Sequence, residues 1–371
     1  MNEEQLITEL AQYPDQMSSA ERMQVYAAGK EVDHIPVSIS VREYIAPLYG
    51  HSIGEYRRDF AVKAAIYEYA SNEFGCYGVS IGPNLKKIGE ALGAKVVYPE
   101  DGIDYLIDAP LTNYTNLANW EPPVPSSNIV LKQMLTEISE YKAYFGDNFP
   151  VSTEIGGPMS TAISIRPIEM VMRDCVMDTD NLCMLLDFAV ECQLKWIRCV
   201  NKLFGITAVN IADPAASLNL ISPMMFRKLI FPRLKYLVRE IVNITHKKPA
   251  LHICGRTAAI WDDLTGLEIS SFRVDNCESL LSLKEAAGAQ IAIAGNIPPV
   301  DVMLRGSIDQ VLASGRNCIY EAADNPMGFT LAAGCQLPPG VSKANLYAML
   351  LAARKYGRNA KKGYPCLAAC E

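Results

Sequence analysis

The sequence lacks the features that mark membrane, secreted and nucleic-acid-binding proteins. No apolar run approaches the roughly 20 residues that a helix needs to span a bilayer, and the N-terminus is too acidic and polar for a secretory signal. No basic block or basic–aromatic stripe suggests nucleic acid, and the formal net charge is -7, from 34 basic and 41 acidic residues. We therefore expect a cytoplasmic protein that binds neither membranes nor nucleic acid.

Histidine is also scarce, with only four residues, whereas the chain contains 11 cysteines. In a chain of this length without a signal, so many cysteines indicate reduced thiols in a cytosol and not a disulfide framework. Several of them lie in helical-looking sequence, where a thiol usually packs as a small core residue: Cys175, Cys183, Cys192 and Cys199. The remaining thiols and the few histidines are the candidates for chemistry.

The 371 residues are 50% hydrophobic and 20% charged, as is usual for a globular protein. Short apolar segments that mostly alternate with helical patterns predict eight strands, at 37–41, 77–81, 150–155, 206–212, 248–254, 271–275, 290–296 and 328–333. This succession predicts an α/β fold, a (β/α)8 TIM barrel formed as a single domain by residues 1–371. We expect N-terminal helices within 1–30, an irregular insertion with short strands at 85–125, after strand two, and a polar tail after 356.

One histidine and two cysteines follow predicted strands in a pattern typical of zinc ligands. His252 and Cys254 are two residues apart, so on a strand they project to the same side. Cys335 follows another apolar run. One imidazole and two thiolates at strand ends make a three-ligand zinc set with an open fourth position. The alternative is a closed structural site with a fourth protein ligand. Glu154 and Asp275 are the candidates for a fourth ligand in the resting state; otherwise they would orient His252.

Other polar side chains also fall at predicted strand C-termini, where the active site of this fold lies. Besides the three metal ligands, the predicted site contains Glu154, Asp213 and Asp275 as catalytic residues, Asn296 as a cofactor contact, and Arg42, Tyr44 and Arg256 as substrate contacts. A turn-capping role is the alternative for Asp213, which precedes a proline, and a loop-shaping role is the alternative for Asn296. Arg256 is the candidate cation for an anionic acceptor.

Several phrases of the sequence resemble a known family. They are Ala20-Glu21-Arg22-Met23, Val32-Asp33-His34-Ile35-Pro36, Ile211-Ala212-Asp213-Pro214-Ala215-Ala216-Ser217 and Ala294-Gly295-Asn296-Ile297-Pro298-Pro299. The chain resembles the uroporphyrinogen decarboxylase superfamily over nearly its full length, and within it the zinc-dependent, cobamide-linked methyltransferases, including the methylcobamide:coenzyme M methyltransferases. Their signature is His-x-Cys followed by a distant cysteine in a Gly-Cys context, which His252, Cys254 and Cys335 match.

The sequence departs from the decarboxylases of the same superfamily. Those enzymes carry an Arg-rich motif after the first strand and an Asp after the second, and they need no metal. Here only Arg42-Glu43-Tyr44 echoes the first motif, and Ser80 stands where the Asp is expected. These differences argue against porphyrinogen decarboxylation.

The resemblance implies two cofactors, Zn²⁺ and a corrinoid such as methylcobalamin. Family members that carry a fused corrinoid-binding domain show an Asp-x-His-x-x-Gly motif, and none of the four histidines lies in that pattern. We therefore expect a separate corrinoid protein as the partner.

The predicted function is transfer of a methyl group between the cobalt of that partner and a zinc-activated thiol such as coenzyme M. A free thiol has a pKa of about 8.5, so activation as a zinc-bound thiolate is chemically useful. The alternatives are an enzyme that demethylates a small donor, such as a methoxylated arene or a methylamine, and loads the corrinoid; a metal-free lyase; and a catalytically inactive binding protein.

Overall fold

The computed structural model describes residues 1–39, 42–76, 78–115 and 117–371. Parts of the first two predicted strands and of the predicted insertion, at residues 40–41, 77 and 116, lie outside the described residues. The chain divides into two compact units, which we call the outer unit (residues 1–77 and 271–371) and the central unit (residues 78–270). The assignment of the whole chain to a single domain stays a prediction.

The strands are short and are distributed along the chain. In chain order they are β1 (Val32–His34), β2 (Val37–Ser38), β3 (Val79–Ser80), β4 (Lys95–Val97), β5 (Tyr105–Asp108), β6 (Val151–Gly156), β7 (Val209–Ala212), β8 (Ala250–Ile253), β9 (Ser271–Val274), β10 (Ala292–Ile297), β11 (Phe329–Ala333) and β12 (Arg358–Ala360). All eight strands predicted from the sequence are present, with ends that differ by a few residues.

Helices separate most of the strands. The α-helices are α1 (Glu3–Leu10), α2 (Ser19–Ala27), α3 (Ile53–Arg58), α4 (Phe60–Phe74), α5 (Lys87–Ala91), α6 (Ile129–Phe145), α7 (Pro158–Ile165), α8 (Ile168–Met177), α9 (Thr179–Phe204), α10 (Pro223–Met225), α11 (Phe231–Thr245), α12 (Trp261–Thr265), α13 (Leu280–Ala287), α14 (Ile308–Ala322), α15 (Lys343–Tyr356) and α16 (Leu367–Cys370). Short 3-10 helices lie at Glu43–Tyr49, Leu117–Asn119, Pro214–Ala216 and Ala258–Ile260, and π-helices at Phe226–Ile230 and Pro299–Leu304. Among the helices of the described residues, not one combines the length and the apolar character that crossing a bilayer requires.

The outer unit contains four parallel strands in the order β2-β11-β10-β9. The predicted N-terminal helices are present as α1 and α2. Their N-cap residues are Asn2 and Ser18, whose side chains accept hydrogen bonds from backbone N–H groups of the first turn. The segment after residue 356, predicted as a polar tail, instead contains regular structure. It forms β12, which pairs antiparallel with β1, and then α16. The two ends of the chain are therefore joined by a small sheet of their own.

The central unit contains the other four parallel strands, in the order β3-β6-β7-β8. Between β3 and β6 the chain forms an antiparallel pair, β4 with β5, together with short helices. The insertion with short strands that the sequence predicted after strand two is therefore confirmed.

Apolar residues alternate with accessible ones along the parallel strands. In β8, Leu251 and Ile253 are buried while Ala250 and His252 are partly exposed, and in β9 Phe272 and Val274 are buried while Ser271 and Arg273 are partly exposed. A strand with this period of two packs one face under the surrounding helices and leaves the other face accessible. Two sets of four parallel strands, each strand followed by helical chain, confirm the predicted (β/α)8 fold.

Candidate metal centre and active site

The first pair of candidate ligands lies at the end of β8. His252 is the third residue of that strand and Cys254 directly follows it, and both side chains are partly exposed. His252 Nε2 lies 3.0 Å from Cys254 Sγ. At this distance the two side chains form a hydrogen bond, and binding of one cation by both atoms would replace that bond.

A turn at residues 217–219, in the loop after β7, is hydrogen-bonded to the loop that follows Cys254. The Leu218 N–H donates to the Arg256 carbonyl (2.9 Å), and the Arg256 N–H donates to Asn219 Oδ1 (2.8 Å). The Ser217 hydroxyl donates to the same Asn219 oxygen at 3.1 Å. Gly255 lies between the bonded groups, with φ of +69°. We call residues 217–219 with their bonds to residue 256 the Asn219 clasp.

Cys335 belongs to the outer unit and lies two residues beyond the end of β11. Its side chain is partly exposed. The preceding Gly334 donates its N–H to the Ile297 carbonyl at 2.9 Å. A Cβ on Gly334 would lie 2.6 Å from the backbone nitrogen of Asn276, closer than carbon and nitrogen atoms approach. The close contact with residue 276 therefore requires glycine and fixes the backbone from which the thiol projects.

Asp213 is fully buried just after β7, and its carboxylate binds the start of α7. The Ser160 N–H donates to Asp213 Oδ1 at 2.7 Å and the Met159 N–H to Oδ2 at 3.3 Å. Burial raises the pKa of Asp213 to about 6, although the hydrogen bonds from Ser160 and Met159 oppose the rise. The structure thus gives this carboxylate a helix-capping role, in which it satisfies N–H groups that have no partner within the helix.

The two carboxylates proposed to assist the metal ligands lie on different strands. Glu154 is partly exposed within β6, on the same face as Ser152, and its carbonyl accepts a hydrogen bond from the Asn84 N–H at 3.1 Å. Asp275 follows β9, and its Oδ1 accepts a hydrogen bond from the Cys277 N–H at 3.0 Å. This hydrogen bond closes a turn at residues 275–277 and restricts the conformation of the loop around Asp275.

Asn296 shapes the same turn from the neighbouring strand β10. Its Nδ2 donates to the Asp275 carbonyl at 3.1 Å and to the Glu278 carbonyl at 2.9 Å. The Cys318 thiol donates to Asn296 Oδ1 at 3.7 Å, a long contact that is acceptable for sulfur. The loop-shaping role that the sequence left open for this amide is therefore present.

The three candidate substrate contacts have different surroundings. Tyr44 is 4% exposed and lies with Arg42 at the start of the 3-10 helix after β2, in the outer unit. Arg57 donates two hydrogen bonds to the Glu43 carboxylate, at 2.8 and 2.9 Å, and so fixes this helix. Arg256 lies in the central unit with an exposed side chain. The structure therefore buries Tyr44, whereas the Asn219 clasp holds the Arg256 backbone and its side chain is exposed.

Sequence reasoning missed Arg273, Ser38 and Asn219. Arg273 could have been found, because in Ser271-Phe272-Arg273-Val274 the apolar residues mark the buried face and leave the arginine on the accessible one. Nothing local marks Asn219, since the Arg256 N–H that it binds belongs to a residue 37 positions later.

Within the outer unit, Asp15, Asp33 and His34 form a group of side chains that could hold a metal ion. Their carboxylates already bind a guanidinium group, because Arg22 donates to Asp15 at 2.6 Å and to Asp33 at 2.7 Å. A cation would compete there with arginine, whereas an imidazole with two thiols is a donor set that suits zinc.

The comparisons with known proteins agree with the fold and with the resemblance. A family model described as uroporphyrinogen decarboxylase (URO-D) matches residues 18–356. A curated methylcobamide:CoM methyltransferase MtaA from Methanosarcina barkeri is 24% identical over 339 residues, which are 88% of this chain and 95% of that protein. A methylated-thiol–coenzyme M methyltransferase from Methanosarcina mazei is 23% identical over 222 residues, 60% of this chain and 58% of that protein.

A solved structure agrees as well. A methyltransferase from Methanosarcina mazei superposes with a TM-score of 0.75 at 22% identity, covering 91% of this chain and 98% of that one. At this identity the likeness shows the fold. Together with the family match it confirms the resemblance that the sequence motifs indicated.

Proposed function

Because the chain belongs to the uroporphyrinogen decarboxylase family and its curated relatives are methyltransferases, we propose that it transfers a methyl group between a corrinoid and a thiol. The relatives are named as methylcobamide:CoM and methylated-thiol–coenzyme M enzymes, so the enzyme class, a methyltransferase, follows from them. The finer statement, that a separate protein carries the corrinoid and that a thiol such as coenzyme M is the other substrate, is our proposal.

The observation that carries the proposal is the donor set of His252, Cys254 and Cys335. These residues match the His-x-Cys and Gly-Cys pattern, and the first two of them lie together at the end of β8, with His252 Nε2 3.0 Å from Cys254 Sγ. One imidazole and two thiolates leave a fourth position of a tetrahedral zinc ion for a substrate. Zinc bound there would lower the pKa of a substrate thiol so that the reactive thiolate predominates at neutral pH.

The chain's own residues hold and orient this donor set. The Asn219 clasp fixes the loop after Cys254, and the contact of Gly334 with the residue 276 backbone fixes the segment that carries Cys335. We propose that Glu154 and Asp275 either orient the imidazole of His252 or complete the coordination before substrate binds.

The remaining predicted residues receive supporting roles in the proposal. Asp213 positions α7 through its bonds to the first N–H groups of that helix, beside the active-site end of the strands. Asn296 orders the turn after β9 and stays the candidate contact for the cofactor. Arg42 and Tyr44 stay candidate contacts for the substrate.

Zinc content tests the donor set. We expect the purified protein to contain one zinc ion per chain, and we expect Cys254→Ala and Cys335→Ala each to lose it, because two remaining ligands bind zinc too weakly. Cys277→Ala is the matched control: its thiol is exposed and lies outside the ligand set. Full zinc occupancy in both ligand variants would contradict the assignment.

Turnover tests the reaction. The protein is mixed with free methylcobalamin and a panel of thiols, and the cobalt absorbance is followed as the methyl group leaves. We expect thiol-dependent demethylation that is lost in Cys254→Ala and kept in Cys277→Ala. No reaction with any thiol, together with demethylation of an added methyl ether by cob(I)alamin, would assign the enzyme to the loading of the corrinoid.

A further inference from the structure

Helix α8 of the central unit carries a row of apolar side chains on its outer side. Its inner side packs on α7 and α9. On the outer side, Ile168 is 39% exposed and Val176 is 64% exposed, and the partly exposed Met172 lies between them. Residues four apart lie on one face of a helix, so these three form a continuous row, which we call the α8 stripe.

Methionines add to the apolar surface around the α8 stripe. Met177, the last residue of α8, is 75% exposed, and Met184, near the start of α9, is 46% exposed. An unbranched thioether side chain adapts its shape to a partner surface. Single exposed apolar residues are ordinary, whereas several on one helix face indicate an interaction surface.

Two charged residues flank the α8 stripe. Glu169 and Arg173 follow Ile168 and Met172 in the sequence, and both are exposed. In the part of the chain that the structure describes, the Glu169 carboxylate forms no ion pair. Arg173 lies 3.3 Å from the carboxylate of Asp174. The flank therefore carries one acid without an ionic partner and one base.

Arg173 adds little to the charge balance of Asp174, because that carboxylate is already bound from the interior. Arg166 Nε donates to Asp174 Oδ2 at 2.8 Å, and the Tyr114 hydroxyl donates to the same oxygen at 2.9 Å. The Arg166 and Asp174 side chains are 3% and 1% exposed. These buried bonds hold α8 in place, so a partner that binds its outer side would meet a preformed surface.

The flank with one acid and one base is complementary to a second copy of itself. In an antiparallel helix pair around a two-fold axis, the same surface of both copies meets, and each flank faces its own equivalent. If two Met172 side chains meet at the axis, Glu169 faces position 175 of the second copy. Arg173 of that copy is two residues away, about 3 Å along the helix, within reach of a long side chain.

This arrangement favours a second copy over a partner of a single charge sign. An acidic partner would attract Arg173 and repel Glu169, and a basic partner would do the reverse. A two-fold contact pairs both residues twice, at the edge of an apolar centre, which is the usual arrangement of a protein interface.

We propose that the outer side of α8 is the contact between two copies of this chain related by a two-fold rotation. The α8 stripe forms the centre, and ion pairs between Glu169 and Arg173 lie at the edge. The proposal concerns assembly and is independent of the methyl transfer proposed above. One short helix from each copy makes a small interface, so the dimer should dissociate at micromolar concentrations.

Sedimentation equilibrium of the full chain tests the apolar centre. Over about 1–100 μM, we expect the average mass of the wild type to rise from that of one chain, 40.8 kDa, toward that of two. Val176→Lys should raise the dissociation constant at least about tenfold, because it places an ammonium group in the apolar centre. Leu203→Lys is the matched control: Leu203 is likewise the penultimate residue of a helix, α9, and is 55% exposed.

Charge reversal tests the edge of the contact. Glu169→Arg and Arg173→Glu each place like charges opposite one another across the two-fold axis, so each should raise the dissociation constant about tenfold. The double variant restores opposite charges and should recover dimerisation. Salt should weaken the wild-type dimer, because the ion pairs are exposed at the edge.

Circular dichroism and urea unfolding show whether each variant keeps its fold, and if Val176→Lys does not fold, the charge-reversal series decides. A wild type that stays monomeric up to about 100 μM would overturn the proposal, as would equal dimerisation of Val176→Lys and Leu203→Lys. A monomeric wild type in which Val176→Lys slows methyl transfer from a protein-bound corrinoid, but not from free methylcobalamin, would assign this surface to the corrinoid protein and also overturn the proposal.

Discussion

Gly255, the residue after the Cys254 thiol, is constrained by both its backbone and its neighbours. Its φ of +69° lies in the left-handed region, and a Cβ there would lie 2.4 Å from Asn219 Oδ1 and 2.6 Å from Ser217 Oγ. Glycine is therefore required twice, for the backbone conformation and for the close approach of the clasp. We infer that this contact fixes the direction of the Cys254 side chain.

Gly255→Ala and Gly205→Ala separate these two requirements. Gly205 has φ of +63° with nothing within 4 Å of its Cβ position, so its substitution should cost only the backbone term of about 1 kcal/mol. Gly255→Ala should cost about 1–3 kcal/mol more, because the clasp must move, and should also weaken zinc binding. Urea unfolding measures the loss of stability, and competition for zinc with a chelator measures the zinc affinity. Equal losses of stability in the two variants would show that the Asn219 clasp moves aside for the added methyl group without lowering the free energy of unfolding.

At the level of secondary structure, Asp213 joins the end of β7 to the start of α7. Its two carboxylate oxygens accept the N–H groups of Met159 and Ser160, and Gly157 packs against it so closely that a Cβ there would lie 2.4 Å from Asp213 Cβ. The helix N-terminus and the carboxylate therefore determine each other's position.

We expect Asp213→Asn to change how the free energy of unfolding depends on pH. The pKa of Asp213 is raised from 3.8 to about 6, so the stabilisation from this carboxyl is fully present below pH 3.8 and is lost as the pH rises through 6. The difference of about 2 pH units corresponds to about 3 kcal/mol. Between pH 4 and pH 7 the free energy of unfolding of the wild type should therefore fall by about that amount relative to Asp213→Asn.

Urea unfolding at both pH values measures this difference. Asp301→Asn is the control, because its side chain is 80% exposed and its neutralisation should leave the pH dependence unchanged. A constant difference between wild type and Asp213→Asn across this range would show that burial does not control the ionisation of Asp213.

At the scale of the whole chain, ion pairs tie the N-terminal segment to the last long helix of the outer unit. Arg22 on α2 donates to Asp33 Oδ1 at 2.7 Å and to Asp33 Oδ2 at 2.8 Å, and it also donates to Asp15. Arg354 on α15 donates to Asp15 as well. The Arg22 and Asp33 side chains are each 4% exposed, so this pair is shielded from solvent and salt.

Asp33→Asn should destabilise the protein by about 3–5 kcal/mol at neutral pH, because it removes the buried carboxylate of the pair and leaves Arg22 with only the more exposed Asp15 as a charged partner. The double variant Arg22→Met with Asp33→Leu should recover most of that loss. Burial raises the pKa of Asp33, but the hydrogen bonds from Arg22 and the Gln16 N–H hold it well below its usual range. Stability from this carboxylate is thus present above about pH 3.8 and lost as the pH falls.

Chemical unfolding at pH 7 and pH 3 checks this expectation. The wild type should lose stability on acidification, and the double variant should lose less. If Asp33→Asn were as stable as the wild type at pH 7, the Arg22–Asp33 pair would contribute little to the free energy of unfolding.

Much of the fold could be predicted from the sequence because several of its parallel strands, such as β7, β8, β9 and β10, alternate between buried and accessible residues. The segment predicted as strand 271–275 coincides with β9. In β8 the buried residues alternate with partly exposed ones, which is the period of two that predicted His252 and Cys254 on one side of the chain. Family motifs suggested what the pattern could not, that His252 and Cys254 share a metal ion with the distant Cys335, and this stays a prediction.

Other features required the structure. β1 and β12 are three residues each, too short for a pattern, and Val32 pairs with Ala360 from the opposite end of the sequence. The capping of α7 by Asp213 also joins residues about 50 positions apart, with no local signal. Contacts between distant segments carry no periodicity, so the sequence alone does not reveal them.

X-ray absorption at the zinc edge tests the central claim most directly. For the wild type we predict one zinc ion with two sulfur ligands at about 2.3 Å and a histidine nitrogen at about 2.0 Å. Adding 2-mercaptoethanesulfonate should raise the number of sulfur ligands to three, whereas 2-hydroxyethanesulfonate should leave it at two. A zinc ion without sulfur ligands, or a sulfur count that the thiol does not change, would contradict a metal centre that binds and activates a thiol.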